Sequence, residues 1–164
     1  MLPLHIQSKW EKEVITEIVI EDWSFIYRIP FSVTKDTKLQ DFQHKLIHVH
    51  RILITNSFLY KCGLKENVLC TFCTETKASL LHIFSECNYV RNFWLAIGNL
   101  LKIFGVSLPF NAKVIILGLT ETSSTQGTIH NVLIILKYYL YTFCIYMSAD
   151  ANAGTLIWKV FLNS

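Results

Sequence analysis

The chain has 164 residues, enough for one domain with a core of its own. Hydrophobic residues reach 52% and charged residues only 16%, with a mean hydropathy of +0.37, against about 45–50% and about 25% in ordinary soluble domains. A net charge of +3 is too small to make the whole surface a polyanion binder, so its placement carries more information than its size.

The apolar excess is what a piece of a longer polypeptide would show, with faces that the rest of the protein normally covers; a membrane segment is the other source. The positive excess sits in one region. Between Lys35 and Arg91 there are eight basic and five acidic residues, whereas the remainder of the chain balances at seven each. Five cysteines, three of them in one short stretch, do not form a disulfide framework, and Cys62 and Cys144 are read as buried free thiols. Met1 to Lys9 has no basic start, sustained apolar run or small-residue cleavage site, so a reducing compartment, cytoplasmic or nuclear, is expected.

In chain order, Ser8-Lys-Trp-Glu11 reads as a capping box, which predicts a helix over 9–18. Glu21 and Asp22 precede Trp23, Ile26 and Tyr27, which suits a second short helix ended by Pro30. Residues 1–36 together form a helical linker segment. Thr37-Lys-Leu-Gln40 repeats the box, and Leu39, Phe42, Leu46, Val49 and Leu53 follow at helical spacing. Lys38, Lys45, His48 and Arg51 take the opposite face, the one offered to nucleic acid. His44 and His48 stand four apart with no carboxylate or cysteine to complete a metal site, and read as solvent-exposed or phosphate-facing. Thr55 to Gly63 forms a short helix with a Thr or Asn cap and a left-handed glycine stop, burying Phe58, Leu59 and Cys62.

Farther on, Val90, Phe93, Trp94, Ile97, Leu100, Leu101 and Phe104 make one helical stripe that Gly105 ends. Pro109 and the Ile115 to Leu117 run mark an irregular connection or a short buried segment, and Ser123 to Gly127 reads as a flexible loop. Thr128 to Met147 is twenty residues long, the length of a membrane span, but a central Lys137 would cost about 2.5–3.5 kcal/mol on insertion. This segment reads instead as a buried or dimer-facing helix, with a last short helix over 155–162. The expected fold is therefore all-α, a small helical domain with a C-terminal helical extension over 106–164.

The stretch that carries chemistry is Cys70-x2-Cys73-x8-His82-x4-Cys87. It supplies four soft or borderline ligands, the number that a closed tetrahedral zinc site needs, with no position left open for water. The Cys-x2-Cys turn lets two sulfurs reach one ion, and residues 78–87 are expected to be helical, with His82 turned back toward it and Leu80, Leu81, Ile83 and Phe84 as an apolar cover. The alternatives are three unrelated cysteines with a surface histidine in a reducing compartment, or a redox pair at Cys70 and Cys73, which no thioredoxin-like strand precedes.

Several segments follow one another in a telling order: Leu39-Gln-Asp-Phe-Gln-His-Lys-Leu-Ile-His48, Thr55 to Leu64 ending in Cys-Gly-Leu, Leu69-Cys-Thr-Phe-Cys73, Leu81-His-Ile-Phe-Ser-Glu-Cys87 and Phe93-Trp94. Over residues 8–104 the chain resembles the zinc-binding domain at the carboxyl end of reverse transcriptases from LINE-type, non-LTR retrotransposons. Trp10-Glu-Lys and Asp22-Trp-Ser resemble the linker that joins the polymerase body to that domain. The resemblance implies a zinc-binding domain over 37–105, with Zn2+ on Cys70, Cys73, His82 and Cys87. It implies an accessory module that binds RNA or DNA, here assigned to Lys38, Lys45, Arg51, Lys77 and Arg91. The aspartates lie at 22, 36, 41 and 150, so there is no adjacent pair to hold a polymerase's two metals, and the endonuclease residues are missing as well. The chain is then expected to be no enzyme, with the parent polymerase domain absent from it. A zinc-stabilised protein scaffold, or an eroded element fragment, is the alternative.

Overall fold

The computed structural model describes residues 4–15, 17–48, 53–119 and 126–148. Its elements are α1 (Leu4–Val14), α2 (Ile20–Val33), α3 (Thr37–His48), α4 (Asn56–Lys61), a π-helix at His82–Glu86, α5 (Asn88–Ile103), a second π-helix at Lys113–Leu117, and α6 (Gln126–Ser148). The fold is all-α; among the described residues the sole extended pairing is one antiparallel bridge between Leu69 and Lys77. Arg51, residues 123–125 of the expected loop and the expected helix over 155–162 lie outside the described residues.

The long apolar segment is α6, and it forms the spine of the core. A helix apolar on most of its circumference is stable where several partners cover it, and α6 packs against α2, α3 and the first π-helix. Ile129, Leu133, Ile134, Tyr141 and Cys144 are buried, whereas Ile135, Tyr139 and Phe143 face outward. Phe42 of α3 meets this helix edge-on at Tyr138 (5.4 Å) and tilted at Tyr141 (5.5 Å), and reaches Phe84 at 6.3 Å. The Tyr141 hydroxyl accepts a hydrogen bond from the Ile54 backbone N–H at 2.7 Å. One hydrophobic cluster thus includes Trp10 and Trp23, Phe42 and Phe84, and Leu117 and Leu133, drawing on all three stretches into which the sequence divides.

Several local expectations are corrected. The first helix starts at Leu4, so Ser8 is interior and Glu11, rather than reaching back as a cap, accepts from Trp23 Nε1 at 3.1 Å. Pro30 does not end α2, which continues to Val33. Proline's fixed φ is compatible with a helix, and burial of Ile26, Ile29 and Pro30 holds the segment together despite the missing donor. Asp36, not Thr37, caps α3: its Oδ1 accepts from the backbone of Lys38 at 2.8 Å and Leu39 at 3.4 Å, while Gln40 Nε2 reaches back to the Thr34 carbonyl at 2.7 Å. The Thr55 cap and the left-handed Gly63 of α4 are as expected. Its buried face, however, is Thr55, Asn56 and Ser57, and Cys62 is exposed.

Gly118 closes the second π-helix at φ +77°, and a Cβ there would stand 3.1 Å from Ile29 Cδ1 and 3.2 Å from His130 Cδ2. His130 is bonded to its carbonyl at 2.5 Å. This close approach brings the Val114 to Leu117 run, all buried, under α6 and α2.

At the centre lies Lys137, 1% exposed. Its Nζ donates to Gln43 Oε1 at 2.6 Å and to the Ile116 carbonyl at 3.2 Å, and Gln43 Nε2 donates to that same carbonyl at 3.2 Å. Both acceptors are neutral dipoles, so nothing offsets the loss of solvation by a full charge. Burial therefore brings the Lys137 amine down to about 7. Between about pH 7 and 10.5 the unfolded chain holds a proton there that the folded chain lacks, so stability rises with pH across that window. At about 1.4 kcal/mol per pH unit the full span amounts to roughly 5 kcal/mol. The raised phenols of Tyr27, Tyr138 and Tyr141 act oppositely above about pH 10. Urea unfolding of the wild type should therefore show a gain from pH 7 to 9 to which this amine contributes on the order of 2 kcal/mol, and Lys137→Met should lose that share of the gain. Equal pH slopes for the two proteins would show that the amine is charged in the fold.

Candidate metal centre

Two local structures bring the four ligand residues together. The first is a hairpin turn. Asn67 Oδ1 accepts from the Leu69 N–H at 3.1 Å, Ala78 N–H bonds the Val68 carbonyl at 2.8 Å, Cys70 N–H bonds Thr76 at 2.7 Å, and Thr74 N–H returns to Cys70 at 2.9 Å. These bonds, with Thr74 at φ +58°, turn the chain tightly enough for the sulfurs of Cys70 and Cys73 to face the same side. From outside, Asn56 braces the turn: its Nδ2 donates to the Leu69 carbonyl at 2.6 Å and to Thr71 Oγ1 at 3.2 Å.

The second is the His82–Glu86 π-helix, where an ordinary helix was expected. Ser79 starts it, its Oγ accepting from the His82 N–H at 3.1 Å. Five residues along an α-helix separate two side chains by about 140° around the axis. Here the Cys87 N–H bonds the His82 carbonyl at 2.9 Å, a five-residue ring, and the wider turn brings His82 and Cys87 to one side. Trp94 Nε1 donates to the Phe84 carbonyl at 2.7 Å, pinning the π-helix to α5.

The Sγ atoms of Cys70, Cys73 and Cys87 and a ring nitrogen of His82 all lie within 4.8 Å of one another. Cys73 Sγ stands 3.3 Å from His82 Nε2, while Nδ1 of the ring faces Glu86 Oε2 at 4.0 Å. A four-coordinate ion with sulfur bonds of about 2.3 Å and a nitrogen bond of about 2.0–2.1 Å needs ligand atoms roughly 3.5–3.8 Å apart. The cluster meets this requirement with closures of under about 1 Å. Cys70, His82 and Cys87 are buried and Cys73 is half-buried, and Leu80, Ile83 and Phe84 form the apolar wall expected of a shielded site. Burial pushes the Cys70 thiol up to about 12. At Cys73 burial acts in the same direction, but the backbone N–H groups of Glu75 and Thr76 and the side chains of His82 and Cys70 bring it down to about 6. The cluster thus holds one sulfur ready as thiolate and another that needs a cation to ionise it. It can hold a metal ion.

No family model, curated protein or solved structure matches the chain. Of the basic residues singled out in the sequence, Lys38, Lys77 and Arg91 are exposed, on α3, on the hairpin and on the first turn of α5. Lys45 pairs with Asp41 at 2.5 Å, one helical turn apart and partly in solvent, an interaction worth about 0.3–0.5 kcal/mol. Arg51 lies outside the described residues. His44 and His48 are not solvent-exposed: their rings stack at 3.8 Å, half-buried, with Tyr27 4.7 Å from His48. Burial first, then the neighbouring His44, lowers the His48 pKa. Asn56 was read from sequence only as a candidate cap of α4 and Ser79 was assigned no role, since nothing in their spacing separates them from ordinary surface polar residues.

In the lobe from Leu64 to Asn88 the second half is held by core packing of Ala78, Leu80, Ile83 and Phe84, but the first half, 64–77, has one bridge as regular structure, so its order depends on the ligand cluster. Metal binding in zinc-finger peptides is worth roughly 10–16 kcal/mol, enough to offset the ordering entropy of such a segment. Chelation, or Cys73→Ser, should remove amide-exchange protection from 64–77 while leaving α2, α3 and α6 protected. Unchanged exchange in the lobe after chelation would show that it folds without metal.

Proposed function

We propose that the cluster binds one zinc ion and that the chain is the zinc-binding accessory module of a LINE-type, non-LTR retrotransposon reverse transcriptase, holding RNA or DNA for a polymerase domain that lies outside it. The observation that carries this reading is the convergence of three sulfurs and one imidazole within 4.8 Å. Thiolate and imidazole together suit zinc, and four protein ligands leave no open position for a catalytic water, so the ion is structural and the module itself catalyses nothing. The order of motifs described above supplies the family. The basic excess and the exposed Lys38, Lys77 and Arg91 support a polyanionic partner, with phosphate contacts from long cationic side chains. Zinc would act at a distance here, by fixing the hairpin that bears Lys77 against the helix that bears Arg91.

A zinc-stabilised protein scaffold is the second reading, and the end of α5 favours it: Leu100, Ile103 and Phe104 are 51%, 79% and 74% exposed. One measurement tests the zinc that both readings share, and a second separates them. Metal analysis of protein purified under reducing conditions should give about one zinc per chain. A salt titration of RNA and DNA binding should then show a steep dependence. Lys38→Glu with Lys77→Glu should weaken binding and lower the slope by about 2 with zinc retained, whereas Cys73→Ser should weaken binding through loss of the lobe. Equal binding by all three proteins, or none below millimolar, would leave the scaffold in place of the nucleic-acid module.

A further inference from the structure

Beside the ligand cluster a cleft of about 510 Å3 opens between the end of the first π-helix, the first turns of α5 and the Phe110–Ala112 segment. Small-ligand sites occupy roughly 300–1,000 Å3 and combine an apolar wall with a few convergent polar groups. Here the wall is aromatic. Trp94 and Phe110 stack at 5.4 Å with ring planes 20° apart, and Leu95 forms an apolar lip. Trp94 is fixed by its bond to Phe84, and Phe110 is seated over Gly98, where a Cβ would come within 3.0 Å of its ring.

Besides Ser85, whose hydroxyl donates to the Leu81 carbonyl at 2.8 Å, three polar groups line the same cleft. Arg91 and Glu86 are both exposed, and among the described residues no ion pair joins them. Glu86 comes no closer than 4.0 Å to His82 Nδ1, too far for a hydrogen bond, so its two oxygens are open acceptors. Asn111 Oδ1 is used by the Val114 N–H at 2.9 Å, which directs its amide nitrogen away as a donor. One cation, one bidentate acceptor, one amide donor and a flat wall match the parts of a nucleotide: phosphate, base edge and base plane.

We propose that this cleft takes an unpaired guanine nucleotide of a single strand, with the base against Phe110, its Watson–Crick edge on Glu86 and its phosphate on Arg91. Guanine presents two adjacent N–H donors on that edge, which a carboxylate can accept together; adenine, cytosine and uracil present no such adjacent pair. A base-paired guanine has that edge occupied, so the site reads loops and single strands, where stacking on an aromatic side chain contributes as well. The inference rests on the nucleic-acid reading above and narrows it to a base and a strandedness.

The test uses the full chain loaded with zinc. It is titrated with 5′-GMP, AMP, CMP and UMP while the indole N–H signals are followed by NMR, and then with uridine octamers carrying one guanosine or none. GMP should shift the Trp94 signal and bind at least about tenfold more tightly than the other three, a ratio that a good bidentate contact supplies. Glu86→Gln should erase that preference. Arg91→Gln should weaken all four nucleotides and keep it, with zinc content unchanged in both variants. Equal affinities, or a guanine preference that survives Glu86→Gln, would overturn the assignment. If octamers bind with a steep salt slope while GMP moves nothing, the cleft assignment falls and the nucleic-acid reading stands. If GMP binds and no octamer does, the site is one for free nucleotides and the single-strand assignment is overturned.

Discussion

Four ligand atoms within 4.8 Å of one another are out of reach of an unbroken α-helix running from residue 78, and the chain from Leu69 to Trp94 bends to that requirement. The hairpin before the cluster and the π-turn after it are both departures from the structure their residues would adopt alone. Each is held by a small number of bonds to its surroundings: Asn56 under the hairpin, Ser79 at the start of the turn, Trp94 at its end. The hairpin half of the lobe therefore has little apolar packing of its own, whereas Leu80, Ile83 and Phe84 of the other half belong to the main core.

The rest of the molecule is organised differently. α6 is held by packing against its partners, and its one charged side chain is tied down by Gln43 of α3 and the Ile116 carbonyl. Buried polar contacts of this kind contribute little net stability but penalise every alternative packing that leaves them unpaired. Sliding α6 by one turn would strand Lys137 among apolar side chains. The polar joint thereby sets the register of the helix, while Phe42, Tyr141 and Leu133 take part in the apolar core around it.

Fold class and ligand residues were legible because each rests on spacing: the α5 stripe, the Gly63 and Gly105 stops and the Cys/His pattern involve short, regular intervals. What was not legible depends on contacts distant in sequence. Gln43 reads as a polar residue on the edge of an amphipathic helix, and only its 94-residue separation from Lys137 in the fold reveals it as a buried partner. Cys62 reads as core because its neighbours are apolar, yet α4 turns the other face inward, toward the hairpin that Asn56 holds. Pro30 reads as a stop because local preference says so, and burial of Ile26, Ile29 and Pro30 itself outweighs the lost bond. The cleft around Arg91 and Phe110 joins residues about twenty apart that share no motif.

The wide turn between His82 and Cys87 also bears on which changes of length this chain can accept. Surface loops gain and lose residues readily, because their ends tolerate small displacements. Between these two ligands the count is set by the angle at which the side chains emerge. Deleting one residue from Ile83 to Glu86 would restore ordinary helical hydrogen bonding and improve the backbone locally, while rotating Cys87 and everything after it by about 100°. The sulfur, the Trp94 indole and the first turn of α5 would leave together. A family of such chains should accordingly vary in the length of the loop before Cys70 and of the connection after Gly105, and hold the four-residue interval fixed even where every residue within it is exchanged.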